Sequence, residues 1–220
     1  MKLYHDRREA GSVLAAHLGE LAGRPDVVVL ALPRGGVPIG YEVAIALPAP
    51  LDVLTVRKLG APWNEEFAMG AIASGGLIYI DESVVTELGV SRAEIEETIE
   101  REGRELARRD QLYRGGRPFP SLLGRIVIVV DDGLATGSTM RAAVLAVRES
   151  RPAHVIAAAP VASAEACATL GEVADRVVCP ATPEPFFGVG VWYADFSETS
   201  DQEVLDLLER ASRTHLPALR

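Results

Sequence analysis

The chain has 220 residues, of which 48% are hydrophobic and 24% charged, a balance that suits a single domain with a sizeable core. Its formal charge of −9 argues against binding to nucleic acid, which needs a basic surface. The first twenty residues carry charges throughout, and no apolar stretch approaches the roughly 18 residues of a membrane span, so we expect neither a signal peptide nor a membrane partner. Cys167 and Cys179 lack metal or redox spacing, which favours free thiols and a cytoplasmic location.

From the N-terminus onward, apolar β-type runs alternate with helical patterns. The predicted strands are residues 26–32, 51–57, 125–130, 154–161 and 176–179. The predicted helices are residues 7–21, 37–47, 138–148, 163–170 and 201–211. Because the strand-like runs are continuously apolar, both faces of each strand should be covered. We therefore expect an α/β fold with a doubly wound, mostly parallel sheet.

A long insertion, predicted over residues 59–123, interrupts this alternation. It contains a predicted hairpin that turns at Ser74-Gly75-Gly76. A strongly charged helix should follow from Ser91 to about Leu112, since its first residues, SRAE, fit a capping box. Such a helix suits a solvent-exposed face, a flexible lid that excludes water, or a dimer contact.

The segment 179–200 is rich in aromatic residues. Three of the five Phe, one of the two Trp and one of the five Tyr lie within residues 186–196. On a glycine-containing loop, such a concentration is typical of a cap that packs on the core or of a platform that binds a ligand. Both interpretations remain open.

The stretch VIVVDDGLATGST, residues 127–139, carries the strongest functional signal. Its apolar run ends in Asp131 and Asp132, at the carboxyl end of a predicted strand, where open α/β sheets bind ligands. The next residues lead into a helix near Ser138, whose N-terminal amides and dipole attract a phosphate. Carboxylates can bind the hydroxyl groups of a sugar, and the adjacent loop can bind a phosphate, so the stretch suits a sugar phosphate as ligand. The alternative is a pair of turn acids before an ordinary helix cap.

Three motifs resemble those of the type I phosphoribosyltransferases. VIVVDDGLATGST is similar to their signature for phosphoribosyl pyrophosphate, ALPRGGVPIG to their pyrophosphate loop, and VRKLGAP to the basic turn after the next strand. The likeness follows the family's order of elements along nearly the whole chain. It implies one domain, residues 1–220, with the insertion as lid and residues 179–200 as an aromatic hood. More narrowly, the chain resembles a bacterial group described only as phosphoribosyltransferase-like, through the stretches PRGGVPIG, VRKLGAPWNEEFAMGAI, VDDGLATGSTMRAA and PEPFFGVGVWYADFSETSDQEV.

The resemblance implies transfer of ribose 5-phosphate from phosphoribosyl pyrophosphate to a nitrogenous base, a purine being favoured, as in purine salvage. The residues implied to bind the donor are Arg34, Gly35, Gly36, Arg57, Lys58, Asp131, Asp132, Ala135, Thr136, Gly137, Ser138 and Thr139. Those implied to be catalytic are Asp131, Asp132, Arg34 and Lys58. They would act by positioning and electrostatics, since the reaction needs little covalent work from the protein.

The two acids would hold the ribose hydroxyls, and the loop would hold the 5′-phosphate. Arg34-Gly35-Gly36 would bind pyrophosphate, with glycines that permit close approach and strained dihedrals, and with a cis peptide at Arg34–Gly35. A plain tight turn is the alternative. Magnesium is the implied cofactor, held by oxygens of the donor and by water.

For the acceptor, the resemblance implies that Phe187 stacks on the base and that Val189 offers backbone hydrogen bonds. Asp195 could reach a magnesium ion or the pyrophosphate. Ala135 stands where hypoxanthine/guanine enzymes carry an acid, which speaks against a 6-oxopurine. The expected partners are the donor, a small base and a second copy in a homodimer. The alternative function is a non-catalytic regulatory module that senses the donor or a nucleotide.

Overall fold

The computed structural model describes residues 2–215, apart from the side chains of residues 65, 66 and 215, and these residues form two sheets and seven α-helices. The strands are β1 Val27–Ala31, β2 Leu51–Val53, β3 Val56–Ala61, β4 Asn64–Ala73, β5 Leu77–Ile80, β6 Ile126–Val130, β7 His154–Ala158 and β8 Arg176–Val178. The helices are α1 Arg7–Ala16, α2 Gly36–Ala46, α3 Glu82–Leu88, α4 Arg92–Arg114, α5 Ser138–Arg148, α6 Ala164–Gly171 and α7 Asp201–His215. Within residues 2–215, none of the helices has the length and apolarity that crossing a membrane requires.

The central sheet has five parallel strands in the order β2-β1-β6-β7-β8. Every residue of β1 and β6 is buried, because apolar helices cover both faces of the sheet. Leu14 of α1 and Ile39 of α2 pack on one face, and Met140 of α5 and Leu170 of α6 pack on the other. The predicted doubly wound parallel sheet is confirmed, and the carboxyl ends of β1 and β6 lie side by side.

The predicted strand over residues 51–57 is wrong as a single element. The structure ends β2 at Val53, and β3 starts a second, antiparallel sheet of order β3-β4-β5. The break is stabilised at Thr55, whose buried amide donates to Ser74 Oγ at 2.9 Å while Ser74 N–H donates to the Thr55 carbonyl at 2.9 Å. Lys58 therefore lies inside a strand of the second sheet rather than after a strand of the central one.

The insertion forms around its own apolar cluster. The predicted hairpin is confirmed as β4 and β5, with Gly75 and Gly76 at positive φ in its turn. The capping box at Ser91 is also confirmed and begins α4. The sequence pattern missed α3, although its boundary signals are present: Asp81 caps its start, and Gly89 ends it at φ +66°. Buried apolar residues join these elements: Leu59, Met69, Ile72, Val85, Val90 and Leu106.

Candidate active site

Asp131 and Asp132, here called the acid tip, follow β6 directly. Asp131 Oδ1 accepts a hydrogen bond of 2.8 Å from the amide of Asp132, and Asp132 Oδ2 accepts one of 2.9 Å from Arg7 Nε. Burial raises the pKa of Asp131 well above its usual range, and the neighbouring Asp132 adds to the effect. Burial also raises the pKa of Asp132, and the Arg7 guanidinium partly offsets this rise. The acid tip thus holds two acids beside one cation.

The phosphate loop, residues 133–139, bends from the acid tip into α5. Two hydrogen bonds to its backbone hold its shape: Leu134 N–H donates to Val161 O at 2.9 Å, and the side-chain hydroxyl of Ser163 donates to Ala135 O at 2.7 Å. Gly137 caps α5 at φ +70°, a conformation that favours glycine. The loop and Asp131 line an open cavity of about 190 Å³, which side chains do not fill. The amides at the start of α5 can therefore meet an anion.

The pyrophosphate loop, residues 33–36, packs directly against the acid tip. A Cβ placed on Gly35 would lie 2.0 Å from Asp132 Oδ2, and one on Gly36 would lie 2.7 Å from Val130 O. Both positions therefore require glycine because the acid tip and the end of β6 approach the backbone of the loop too closely for a side chain. Strained dihedrals at Gly35 were a wrong expectation, because its φ of −59° is that of an ordinary residue at the start of a helix. The cis peptide is also one bond earlier than expected, at Pro33–Arg34.

The three basic residues predicted for pyrophosphate have different surroundings. Lys58 Nζ donates to Ser138 Oγ at 3.0 Å, so β3 reaches the phosphate loop. Arg57 pairs with Glu102 of α4 at 2.7 Å, and Arg34 pairs with Glu198 of the hood. Lys58, Arg57 and Thr139 line one cavity of about 280 Å³. Arg34 lines another, of about 300 Å³, beside α4.

The hood divides into residues that pack and residues that are exposed. Tyr193 is buried, and its hydroxyl donates to the backbone carbonyl of Asp132 at 2.5 Å. Val189 packs on Gly133, where a Cβ would lie 2.4 Å from Val189 Cγ1, and lines the cavity of the phosphate loop. Phe187 is 75% exposed, so the cap interpretation does not hold for its ring. Asp195 accepts a bond of 2.9 Å from Ser197 N–H and lines a different cavity.

Comparison with known proteins decides the family. A model of the family described as "Phosphoribosyl transferase domain" matches residues 4–194. The chain belongs to this family. Two relatives from Mycobacterium tuberculosis, strains CDC 1551 and H37Rv, bear the names "Putative phosphoribosyl transferase" MT0597 and Rv0571c; each is 46% identical over 213 residues, 97% of this chain. The chain spans about half, 48%, of the length of these curated relatives.

Solved structures support the fold of this phosphoribosyl transferase domain. The crystal structure of TT1426 from Thermus thermophilus is similar at a TM-score of 0.87 and 41% identity, covering 96% of this chain and 99% of that one. AQ2163 from Aquifex aeolicus, at a TM-score of 0.51 and 14% identity, shares the fold alone; the match covers 92% of this chain and 84% of that chain.

Two residues that approach the acid tip escaped the sequence motifs. Arg7 lies in the first turn of α1, where HDRREAG is typical of an ordinary charged helix start. Tyr193 belongs to the aromatic hood, but no pattern singles it out. Both are separated from Asp132 by 61 residues or more in sequence, so only the fold brings them into contact with it. The roles implied for Phe187 and Asp195 stay predictions.

Proposed function

We propose that this phosphoribosyl transferase domain transfers ribose 5-phosphate from phosphoribosyl pyrophosphate to a nitrogenous base and releases pyrophosphate. One observation carries the proposal: Asp131 and the phosphate loop line the same open cavity, while Gly35 of the pyrophosphate loop touches Asp132. A ligand with two neighbouring hydroxyls, a 5′-phosphate and a second anionic group on C1 suits this arrangement.

The reaction breaks the bond between C1 and pyrophosphate and forms one between C1 and a base nitrogen, and the proton that the base loses passes to pyrophosphate or to water. The acid tip would hold the ribose hydroxyls and stabilise the positive charge that develops on the ring. The phosphate loop would hold the 5′-phosphate through amides and hydroxyls. Lys58 and the two arginines would hold the pyrophosphate, for which Arg57 must leave Glu102 and Arg34 must leave Glu198.

Magnesium would be part of the donor complex. Among the side chains that the structure describes, which exclude those of residues 65, 66 and 215, no three of His, Cys, Asp or Glu gather as a metal site. Oxygens of the donor itself are the hard ligands that magnesium prefers. When bound, the ion would reduce the negative charge of the leaving group. The residues present are compatible with an ion that arrives with its substrate.

The acceptor is proposed to be a purine. Val189 lies at the cavity of the phosphate loop, and the exposed ring of Phe187 is free of the core. A base stacked on Phe187 would gain about 1–3 kcal/mol, the range measured for bases on aromatic side chains. We further propose that the protein acts in purine salvage, that it is cytoplasmic and that it forms a homodimer.

The test replaces both acids, as Asp131→Asn with Asp132→Asn, and measures binding of the magnesium complex of the donor by calorimetry. Loss of binding, with a melting temperature no lower than that of the wild type, supports the proposal, and unaltered binding contradicts it. Asp26→Asn is the matched control, because Asp26 is an exposed acid that pairs with Arg24. A screen of bases for pyrophosphate release then separates an enzyme from the alternative, a sensor that binds the donor without turnover.

A further inference from the structure

The guanidinium of Arg7 connects three parts of the molecule. Its Nε donates to Asp132 Oδ2 at 2.9 Å, and its Nη1 donates to the carbonyl of Ser197 at 2.7 Å. Its Cζ lies 4.0 Å from the centre of the Phe196 ring. Arg7 thus joins helix α1 to the acid tip and to the end of the hood.

This ion pair is shielded from water, unlike most charge pairs on the surface. The side chains of Arg7 and Asp132 are only 12% and 15% exposed, whereas those of the neighbouring pair Arg8–Glu42 are 69% and 20% exposed. A charge-assisted hydrogen bond in such surroundings is stronger than one in water. The bond therefore restrains the carboxylate of Asp132 more than a surface pair would.

The carboxylate is also restrained from the opposite side. Asp132 Oδ2 occupies the space in which Gly35 would carry a Cβ, 2.0 Å from that position. Tyr193 donates to the carbonyl of the same aspartate. Asp132 therefore lies at the junction of the ribose acids and the pyrophosphate loop, and Arg7 is the cation that contacts it there.

We propose that Arg7 is a positioning residue for the donor: its guanidinium holds the carboxylate of Asp132 above Gly35, in the orientation that receives the ribose, and links it to the hood. The proposal rests on the proposed function, because it assumes that the acid tip binds the donor. Arg7 itself need not touch the substrate.

A pH profile distinguishes positioning from general structural support. The titratable groups that face Asp132 are Asp131 beside it, Arg7 on α1 and Tyr193 in the hood. Burial raises the pKa of Asp132, and the Arg7 guanidinium counteracts the rise. Without Arg7 the pKa of Asp132 should rise further, so that the acid holds its proton at a higher pH and receives the ribose poorly. Raising the pH should then restore the carboxylate.

The experiment measures the affinity for the magnesium complex of phosphoribosyl pyrophosphate by calorimetry from roughly pH 6 to pH 9. Arg7→Gln should weaken binding about tenfold or more near neutral pH, as expected for the loss of one charge-assisted bond. The loss should shrink as the pH rises. Arg8→Gln, which removes a neighbouring pair of the same helix, is the matched control and should follow the wild-type curve.

Two results would overturn the proposal: a wild-type curve for Arg7→Gln, or a loss that is equal at every pH. Should Arg7→Gln not fold, Arg7→Lys decides, since an ammonium group carries the charge but cannot bond both Asp132 and Ser197 as the planar guanidinium does. Because lysine keeps the charge and loses only the two-point bonding, a loss of affinity that changes little with pH then supports the proposal, and a wild-type curve overturns it. If the wild-type protein binds no donor, the proposed function fails as well.

Discussion

Two regions of the central sheet enclose carboxylates, one within its outer strand β2 and one at the carboxyl end of β6, and they differ in how negative charge is matched by positive charge. In β2, Asp52 lies 3.1 Å from Arg114 of α4; Arg117 and a second acid, Asp110, also act on it, so acids and cations are equal in number. At the acid tip, Asp131 and Asp132 share Arg7. Uncompensated negative charge in a buried site is unfavourable unless a bound ligand compensates it. The comparison indicates that the first region joins the insertion to the sheet and the second is built for binding.

The largest effect on donor affinity among single substitutions is expected from adding one methyl group at the acid tip. Gly35→Ala would place a Cβ 2.0 Å from Asp132 Oδ2, so the acid or the loop must move. Overpacking of this kind costs about 1–3 kcal/mol. Because the acid or the loop that must move belongs to the donor site, we expect donor binding to lose a similar free energy, roughly 10- to 100-fold in affinity. Calorimetry with the magnesium complex of the donor measures it. Gly19→Ala is the control, since a Cβ there meets nothing within 4 Å; equal affinities for the two variants would contradict the prediction.

Breaking the balanced pair should instead affect stability. Arg114 is 5% exposed, and within residues 2–215 its Nη1 and Nη2 have no hydrogen-bond partner, although Nη1 lies near Asp52. Burial already raises the pKa of Asp52. Arg114→Met would leave this acid without its cation and should lower the free energy of unfolding by about 3 kcal/mol or more, as measured with urea.

Arg104→Met is the matched control for that measurement, because Arg104 pairs with Glu100 on the exposed side of the same helix. Its effect should remain within about 0.5 kcal/mol. If Arg114→Met were no worse than this control, the pair would not stabilise the insertion. Adding Asp52→Asn to Arg114→Met should recover part of the stability, since the uncompensated acid is removed.

Removing one acid from the acid tip should make the protein more stable. Burial and the neighbouring Asp132 raise the pKa of Asp131 in the folded protein. The protonated Asp131 therefore favours folding at a pH below the ordinary carboxyl pKa, and this contribution to stability is lost as the pH rises through the raised pKa of the folded state. Asp131→Asn, which has no charge to bury, should therefore melt higher near neutral pH, by at least about 2 °C. The difference should disappear towards pH 4 or so. A lower melting temperature for Asp131→Asn than for the wild type near neutral pH would contradict the prediction that the acid tip carries unbalanced negative charge.

The smallest effect on stability is expected at Phe187. Its ring is 75% exposed, so Phe187→Ala should change the free energy of unfolding by less than about 0.5 kcal/mol. If the ring stacks on the acceptor, the Michaelis constant for the base should rise about tenfold while donor affinity stays the same. Tyr193→Ala in the same hood should lower stability instead, because that side chain is buried. A loss of folding in Phe187→Ala would favour the cap interpretation.

The fold and the donor loops could be predicted because their signals are local. Continuous apolar runs predicted β1, β6 and β7 and the covering helices, and VIVVDDGLATGST placed the acids at the end of a strand. The division of residues 51–57 could not be predicted, because it depends on the contact between Thr55 and Ser74 across the chain. The role of Gly35 also needed the structure, since only the neighbouring strand shows what its missing side chain would meet.

The sequence by itself determined the family, the parallel sheet and the position of acids and phosphate loop at one edge, because strand periodicity and helix starts are encoded within a few residues. Tertiary structure decided which charges meet. Arg7 reaches Asp132 across 125 residues, and Glu102 reaches Arg57 across 45, through side chains that no motif marks. Pairing between distant charges depends on how elements pack, and this is why the electrostatics of the site appear only in the folded chain.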